Sequence, residues 1–154
     1  MDLEKGASVA TSHNHPSLIR SVDIDNPAEK RTRRYNFTIT REYRSPDGLN
    51  RSVILVNGKF PGPPIEANLG DEVFVTVINK IDHPKEGTAI HWHGLPQLSN
   101  GQYDGVPFIQ QCPIAPGSSF TYNFKADVAG ITMYHAHYSA QYMDGLYGPL
   151  IING

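Results

Sequence analysis

Short segments of alternating apolar and polar residues recur along most of this chain. Residues 35–40 and 120–125 carry an aromatic or aliphatic side chain at almost every second position. Successive side chains of a β-strand point to opposite faces, so this period of two predicts strands with one buried face. Residues 53–56 are apolar at every position, which predicts a strand in the interior of a sheet, buried on both faces.

Seven such segments are separated by residues typical of turns. They lie at 35–40, 53–56, 72–79, 88–94, 120–125, 131–137 and 146–152. The chain also contains 14 glycines and 12 prolines, and only residues 139–144 suggest a short helix. Many short strands joined by tight turns predict an all-β fold, a β-sandwich or β-barrel of seven or eight strands.

The first 32 residues differ from the rest because they are polar and lack a period. We expect 1–32 to form a flexible N-terminal arm and 33–154 to form one domain. The arm contains His13 and His15, which we interpret as exposed histidines without a metal role because no strand pattern surrounds them. The basic residues of 30–34 precede the first predicted strand and are interpreted as a solvated entry to the domain.

Charge and hydropathy exclude several kinds of partner. There are 13 basic and 15 acidic residues, a net charge of −2, and no basic surface that predicts nucleic-acid binding. No apolar run is long enough to predict a membrane span. We also see no apolar core of a signal peptide near Met1, so the sequence leaves the cellular location open.

Two histidine pairs are the strongest chemical signal. His91 and His93 flank a tryptophan in one predicted strand, and His135 and His137 flank an alanine in another. Residues i and i+2 of a strand lie on one face, so each pair presents two imidazoles side by side. Four imidazole nitrogens without a thiolate suit copper or zinc, and the sequence therefore predicts a metal site at these four histidines.

Longer motifs accompany the pairs in a fixed order. They are His-Trp-His-Gly at 91–94, Tyr-Asp-Gly-Val-Pro at 103–107, Gln-Cys-Pro-Ile-Ala-Pro-Gly at 111–117 and Tyr-His-Ala-His-Tyr-Ser-Ala-Gln at 134–141. From about Tyr35 to Gly154 the chain resembles the N-terminal, plastocyanin-like domain of multicopper oxidases, most of all laccases of the filamentous-fungal kind. The resemblance implies a cupredoxin-like Greek-key β-sandwich. Ala136 stands where serine is usual in the family, but it faces away from the pair and should leave metal binding intact.

The resemblance also implies a role for each histidine. His91 would bind the type 2 copper of a trinuclear cluster. His93 and His135 would bind one ion of the coupled type 3 pair, and His137 would bind the other. In the family, electrons from a substrate enter at a type 1 copper and pass to this cluster, where dioxygen becomes water.

Two further residues gain an interpretation from the same resemblance. Asp104 corresponds to an acidic residue that helps to deliver protons to reduced oxygen, and the alternative interpretation is a turn residue before Gly105. Cys112 corresponds to a cysteine that bridges to a later domain. Cys112 lies between Gln111 and Pro113, without the flanking histidines of a type 1 site, so it cannot be the thiolate ligand of that copper.

Three hypotheses follow for function. In the first, which we favour, the chain is an incomplete enzyme: it carries four of the eight cluster histidines and shares its copper with further cupredoxin domains of the same oxidase or another chain. The second is a stand-alone copper- or zinc-binding module without turnover. The third is a structural domain with vestigial histidines. The first hypothesis implies dioxygen as the electron acceptor and, by family analogy, secretion.

Overall fold

A computed structural model describes residues 30–154, which form eight strands. These are β1 (Thr32–Arg44), β2 (Arg51–Val56), β3 (Ile65–Asn68), β4 (Glu72–Asn79), β5 (Ile90–Trp92), β6 (Ser119–Lys125), β7 (Gly130–Ala136) and β8 (Tyr147–Asn153). A single turn of 3₁₀-helix, Gly101–Tyr103, lies between β5 and β6. Within 30–154, no helix has the length and apolar character needed to cross a membrane. Most of the predicted arm, with His13 and His15, lies outside the described residues.

The strands form two four-stranded sheets. The first has the order β2-β1-β4-β6 and the second the order β3-β8-β7-β5. Within them β1 runs parallel to β4, β3 runs parallel to β8, and the other neighbours are antiparallel. The predicted all-β sandwich is confirmed, with the higher of the two predicted strand numbers.

The core lies between the two sheets and explains the alternation along the strands. Val73, Val75 and Val77 of β4 point inward, and the residues between them are more exposed. From the second sheet, Trp92 of β5 packs against the rings of Tyr122, Phe124 and Tyr134. Because Trp92 is buried in the core, the histidines on either side of it must point to the outer face of the sheet.

The position of β2 corrects one prediction. All four residues 53–56 are buried, but β2 is an edge strand and not an interior one. Its free edge is covered by residues 138–145, which we call the edge turn: the Ile54 N–H donates to the Asp144 carbonyl at 2.8 Å. A covered edge needs apolar residues on both faces just as an interior strand does, and the sequence pattern does not separate the two cases.

The edge turn also replaces the short helix predicted at 139–144. Its backbone forms successive turns, and Gly145 ends it at a φ of +113°. A side chain at Gly145 would overlap the Phe60 ring, so glycine fits there both for its backbone conformation and for its small size. The segment is therefore shaped by its packing on β2 and not by helix propensity.

The basic residues predicted to precede the first strand lie partly inside it. β1 begins at Thr32, paired with Glu72 of β4. Arg33 forms an ion pair with Asp71 at 2.7 Å, and the Arg34 guanidinium lies 4.5 Å from the centre of the Phe74 ring. The cluster therefore overlaps the start of β1 and does not precede it, while four of its five residues are exposed as expected: Lys30, Arg31, Thr32 and Arg34.

Candidate metal centre

The two histidine pairs meet on the outer face of the second sheet. His91 of β5 and His135 of β7 are direct partners in the antiparallel ladder. The centre of the His91 ring lies 5.4 Å from that of His135 and 6.0 Å from that of His93, and the His93 and His135 rings are 5.7 Å apart. One ligand nitrogen from each of these three histidines lies within 4.8 Å of the others.

His137 lies beside this group but outside it. It follows the last residue of β7, and its backbone N–H donates to the Ala89 carbonyl at 2.9 Å. Its ring centre is 5.5 Å from that of His91 and 6.2 Å from that of His135. The structure therefore brings all four predicted histidines to one place, and ligand nitrogens of three of them are close enough to one another to share an ion.

The orientation of His91 is fixed by Asp104. The His91 Nδ1 lies 2.8 Å from the Asp104 backbone oxygen and 3.2 Å from its Oδ1. A carbonyl can only accept, so Nδ1 carries the proton and the Nε2 lone pair is free to bind a metal. Asp104 reaches this position because Gly105 has a φ of +86° and packs against the Ile90 carbonyl, where no side chain would fit.

His135 is prepared for ligation in the same way. Its Nδ1 lies 3.0 Å from the Ala136 carbonyl oxygen, which again leaves Nε2 free. Burial lowers the pKa of His135, and the neighbouring His91, His93 and His137 lower it further, against the opposing effect of the Ala136 carbonyl. The neutral imidazole, which is the form that binds metal, is favoured as a result.

The donor set fits copper. Ca²⁺ and Mg²⁺ take oxygen ligands, whereas the atoms that converge here are imidazole nitrogens. Imidazole suits copper and zinc, and the absence of a thiolate among these ligands argues against an iron–sulfur or soft copper(I) site. Cys112 is free and exposed, in the loop between the 3₁₀ turn and β6.

Sequence reasoning missed two buried polar residues in the segments that flank the histidine pairs. Thr88, just before β5, and Gln141, in the edge turn, join through a hydrogen bond of 2.7 Å. Gln141 is the last residue of the motif at 134–141, but nothing in the pattern distinguished it from an exposed turn residue. Its partner lies 53 positions away in the chain, a pairing that only the fold creates.

Large apolar side chains are exposed around the cluster. Phe108 and Ile109 are 78% and 83% exposed, and the Phe108 ring lies 6.1 Å from that of Tyr138, next to His137. Ile131 is on the same face of β7 as His135 and is 81% exposed. Such a group of exposed apolar residues is typical of a surface that contacts another protein or domain.

Comparison with known proteins places these observations in a family context. Residues 30–154 match the family model described as multicopper oxidase. Laccase-2 of Botryotinia fuckeliana is 51% identical over 123 residues, which cover 80% of this chain and 21% of that protein. Laccase-1 of Cryptococcus neoformans var. grubii is 50% identical over 146 residues, which cover 94% of this chain and 23% of that protein.

The structural comparison agrees. The crystal structure of a laccase from Botrytis aclada superposes with a TM-score of 0.78 at 49% identity, covering 81% of this chain and 23% of that one. The predicted cupredoxin-like fold is thereby confirmed. The chain spans about a fifth of the length of the curated relatives it matches.

Proposed function

Because this chain belongs to the multicopper oxidase family and forms a cupredoxin-like domain of the laccase type, we propose that its histidine pairs supply half of the ligands of a trinuclear copper cluster. One observation carries the proposal: ligand nitrogens of His91 in β5, His93 directly after β5 and His135 in β7 lie within 4.8 Å of one another. His137 borders this group and is the fourth ligand. Copper is the metal because family membership favours it over zinc.

The individual ligand assignments follow the family pattern. We assign His91 to the type 2 copper, His93 and His135 to one ion of the type 3 pair, and His137 to the other. The pairing of His93 with His135 is supported by a distance of 5.7 Å between their ring centres, with His93 directly after β5 and His135 within β7.

Bound copper supplies the one-electron redox chemistry with which multicopper oxidases reduce dioxygen to water. The chain's own residues orient the His91 and His135 imidazoles through hydrogen bonds from Nδ1 to backbone carbonyls, and burial lowers the pKa of His135. We further assign Asp104 as a proton relay. Its Oδ1 is 3.2 Å from the His91 Nδ1, and its side chain is 21% exposed, so the carboxylate can exchange a proton with solvent next to the cluster.

The remaining parts of the enzyme come from further cupredoxin domains, of the same oxidase or of another chain. These domains would supply the other four histidines, the type 1 copper and the pocket for the reducing substrate. Two features support a docking role for this face: the exposed apolar residues around the cluster, and the exposed Cys112 thiol, which is available for a disulfide to a second domain. The chain alone would bind copper without oxidising a substrate.

A copper-retention experiment tests the proposal. In a background with His13→Ala and His15→Ala, the 154-residue chain is loaded with Cu²⁺, freed of excess metal, and measured by elemental analysis and electron paramagnetic resonance (EPR). We expect retained copper with nitrogen hyperfine structure, and loss of most of it in His91→Ala or His135→Ala. His83→Ala is the control, because His83 is an exposed loop residue.

Three outcomes would contradict parts of the proposal. Equal copper retention in His91→Ala and the control would contradict the proposed ligands and favour a structural domain. Three histidines with one open position is also a zinc geometry, so preferential retention of Zn²⁺ in competition would favour a stand-alone module. Oxidation of a phenol by the purified chain would contradict the assignment of the type 1 site to another domain.

A further inference from the structure

A pair of buried polar side chains lies in the segments that flank the two histidine pairs. Thr88 and Gln141 are 0% and 1% exposed. The Thr88 hydroxyl donates to Gln141 Oε1 at 2.7 Å, and Gln141 Nε2 donates to the Gly87 carbonyl at 2.8 Å and to Glu86 Oε2 at 3.0 Å. A buried amide with all these partners has one favourable position, because any shift would leave polar groups unpaired.

These two residues link the segments that lead to the two histidine pairs. Thr88 lies three residues before His91, and Gln141 lies four residues after His137. The Gln141 carbonyl also accepts from the Leu146 N–H at 3.1 Å, which ties the edge turn to the start of β8. The Thr88–Gln141 contact therefore joins the segment that precedes the first histidine pair to the segment that follows the second pair.

The contact is anchored to the first sheet. Arg41 of β1 lies 3.0 Å from Glu86 and 2.8 Å from Asp144, and its side chain is only 10% exposed. The side-chain amide of Asn79, the last residue of β4, donates to the Glu86 carbonyl at 2.7 Å. The histidine segments are thus held to the long strands β1 and β4 as well as to each other.

Sheet pairing alone leaves His137 weakly placed. The ladder between β5 and β7 covers only three residue pairs, ending at Ile90 and Ala136. His137 lies beyond it, with one backbone bond to Ala89. The edge turn that follows His137 is held at Asp144 by Ile54 and Arg41, and at Gln141, closer in sequence to His137, by Thr88.

We propose that Gln141 and Thr88 are positioning residues that hold His137 against His91 and thereby set the metal affinity of the cluster. This rests on the proposed function in so far as it takes His137 to be a ligand. Neither residue touches the metal in this proposal. Their effect passes through the backbone of 88–91 and 137–141.

The test compares Thr88→Val with Thr88→Ser in the background with His13→Ala and His15→Ala. Valine keeps the shape of threonine and removes the hydroxyl, whereas serine keeps the hydroxyl. In Cu²⁺ titrations of folded protein followed by EPR, we expect Thr88→Val to weaken binding by about tenfold and to change the copper spectrum, as for other groups that support metal ligands. Thr88→Ser should stay within about twofold of the parent, and Gln141→Met should behave like Thr88→Val.

A second measurement needs no metal. Hydrogen exchange at the His137 amide should be faster in Thr88→Val than in Thr88→Ser, while exchange at Val75, in the centre of β4, should be the same in both. Faster exchange throughout the domain, or equal loss of copper in both variants, would indicate general destabilisation and overturn the positioning role. Unchanged copper affinity in Thr88→Val would overturn it as well.

The two proposals fail in different ways. If the parent protein binds no copper, the proposed function fails and the exchange rate of the His137 amide alone decides whether the Thr88–Gln141 contact holds this segment. If the parent binds copper and Thr88→Val binds it equally well, the proposed function stands and the positioning role is refuted.

Discussion

At the His91 imidazole, two oxygens of one residue accept from the same N–H. The Asp104 backbone carbonyl lies at 2.8 Å and its carboxylate Oδ1 at 3.2 Å. The shorter contact belongs to the backbone, which no substitution of the side chain removes. The ring is therefore oriented by the path of the loop, and the carboxylate is left available for proton transfer.

This division of roles leads to a prediction for Asp104→Ala. Copper affinity of the chain should fall by less than about tenfold, because the backbone carbonyl still orients His91. His91→Ala should abolish copper binding through that imidazole. Asp82→Asn, which changes an exposed acidic residue, should leave the copper affinity unchanged. Cu²⁺ titration of the three variants measures this. A loss in Asp104→Ala as large as in His91→Ala would show that the carboxylate itself orients or binds.

Gly105 is the residue on which the loop depends. Its φ is +86°, and an added methyl group would overlap the Ile90 carbonyl and lie too close to the backbone nitrogen of His91. Gly48 has a similar φ of +89° but has open space around it. The two glycines therefore separate the cost of backbone strain from the cost of a clash.

We expect Gly105→Ala to lower the free energy of unfolding by about 3 kcal/mol or more, from strain and overlap together. Gly48→Ala should cost about 1–2 kcal/mol, from strain alone. Urea denaturation of both variants gives the difference directly. An equal loss of unfolding free energy in the two variants would mean that the loop carrying Asp104 can shift to accept the methyl group and does not hold His91 rigidly.

At the scale of strands, the sequence predicted those elements whose residues alternate between apolar and polar. Residues 72–79 alternate cleanly, and β4 has those bounds. β3 was not predicted, because its four residues follow a proline-rich loop and are too few to show a period. The edge position of β2 depends on the edge turn, a contact between distant segments that local pattern does not contain.

The same distinction applies to the site. The spacing of each histidine pair predicted that its members share a face, because that follows from strand geometry. The direct pairing of His91 with His135 requires β5 to lie beside β7, which the motif order alone does not determine. The contact between Thr88 and Gln141 could not be predicted for the same reason, since only the fold brings the two residues together.

Asp71 joins several elements of the sandwich. Its carboxylate accepts from the Arg31 N–H at 2.8 Å, from Arg33 Nε at 2.7 Å and from the Asn68 N–H at 3.0 Å. Burial would raise the pKa of this carboxyl, but the hydrogen bonds from Asn68, Arg33 and Arg31 outweigh it and lower the pKa below its usual value. The charged form therefore stabilises the fold.

We predict that Asp71→Asn lowers the free energy of unfolding by about 2 kcal/mol at neutral pH, since it weakens charged hydrogen bonds. The folded pKa lies below the unfolded one, so the contribution of Asp71 is complete above the unfolded pKa of about 4 and is lost as the pH falls through the folded pKa. The difference between parent and variant should shrink accordingly in acid.

Urea denaturation at several pH values measures this dependence. Asp47→Asn is a suitable control, because Asp47 pairs with Arg51 at the surface at 3.3 Å and should contribute less than about 0.5 kcal/mol. A difference for Asp71→Asn that does not change between pH 7 and strongly acidic conditions would contradict the role of the charge.

For the whole molecule, several large exposed apolar side chains lie on the side of the histidine cluster. Phe108 lines a shallow pocket with His137, the exposed Ile109 follows it in the chain, and Ile131 shares the outer face of β7 with His135. A face built to contact another cupredoxin domain would leave these side chains in water when the domain is alone. Two copies of the isolated chain would therefore bury these side chains by associating through this surface.

We expect concentration-dependent dimerisation of the 154-residue chain in sedimentation velocity, and a shift towards monomer when Phe108→Ser and Ile109→Ser are combined. The control is Leu49→Ser, because Leu49 is 72% exposed but lies in the loop between β1 and β2. Burial of apolar surface drives such association, so removing two large side chains at the contact should weaken it, whereas Leu49→Ser should leave it unchanged. A parent chain that stays monomeric at all concentrations, or an equal effect of Leu49→Ser, would argue that this face does not drive docking by apolar contact.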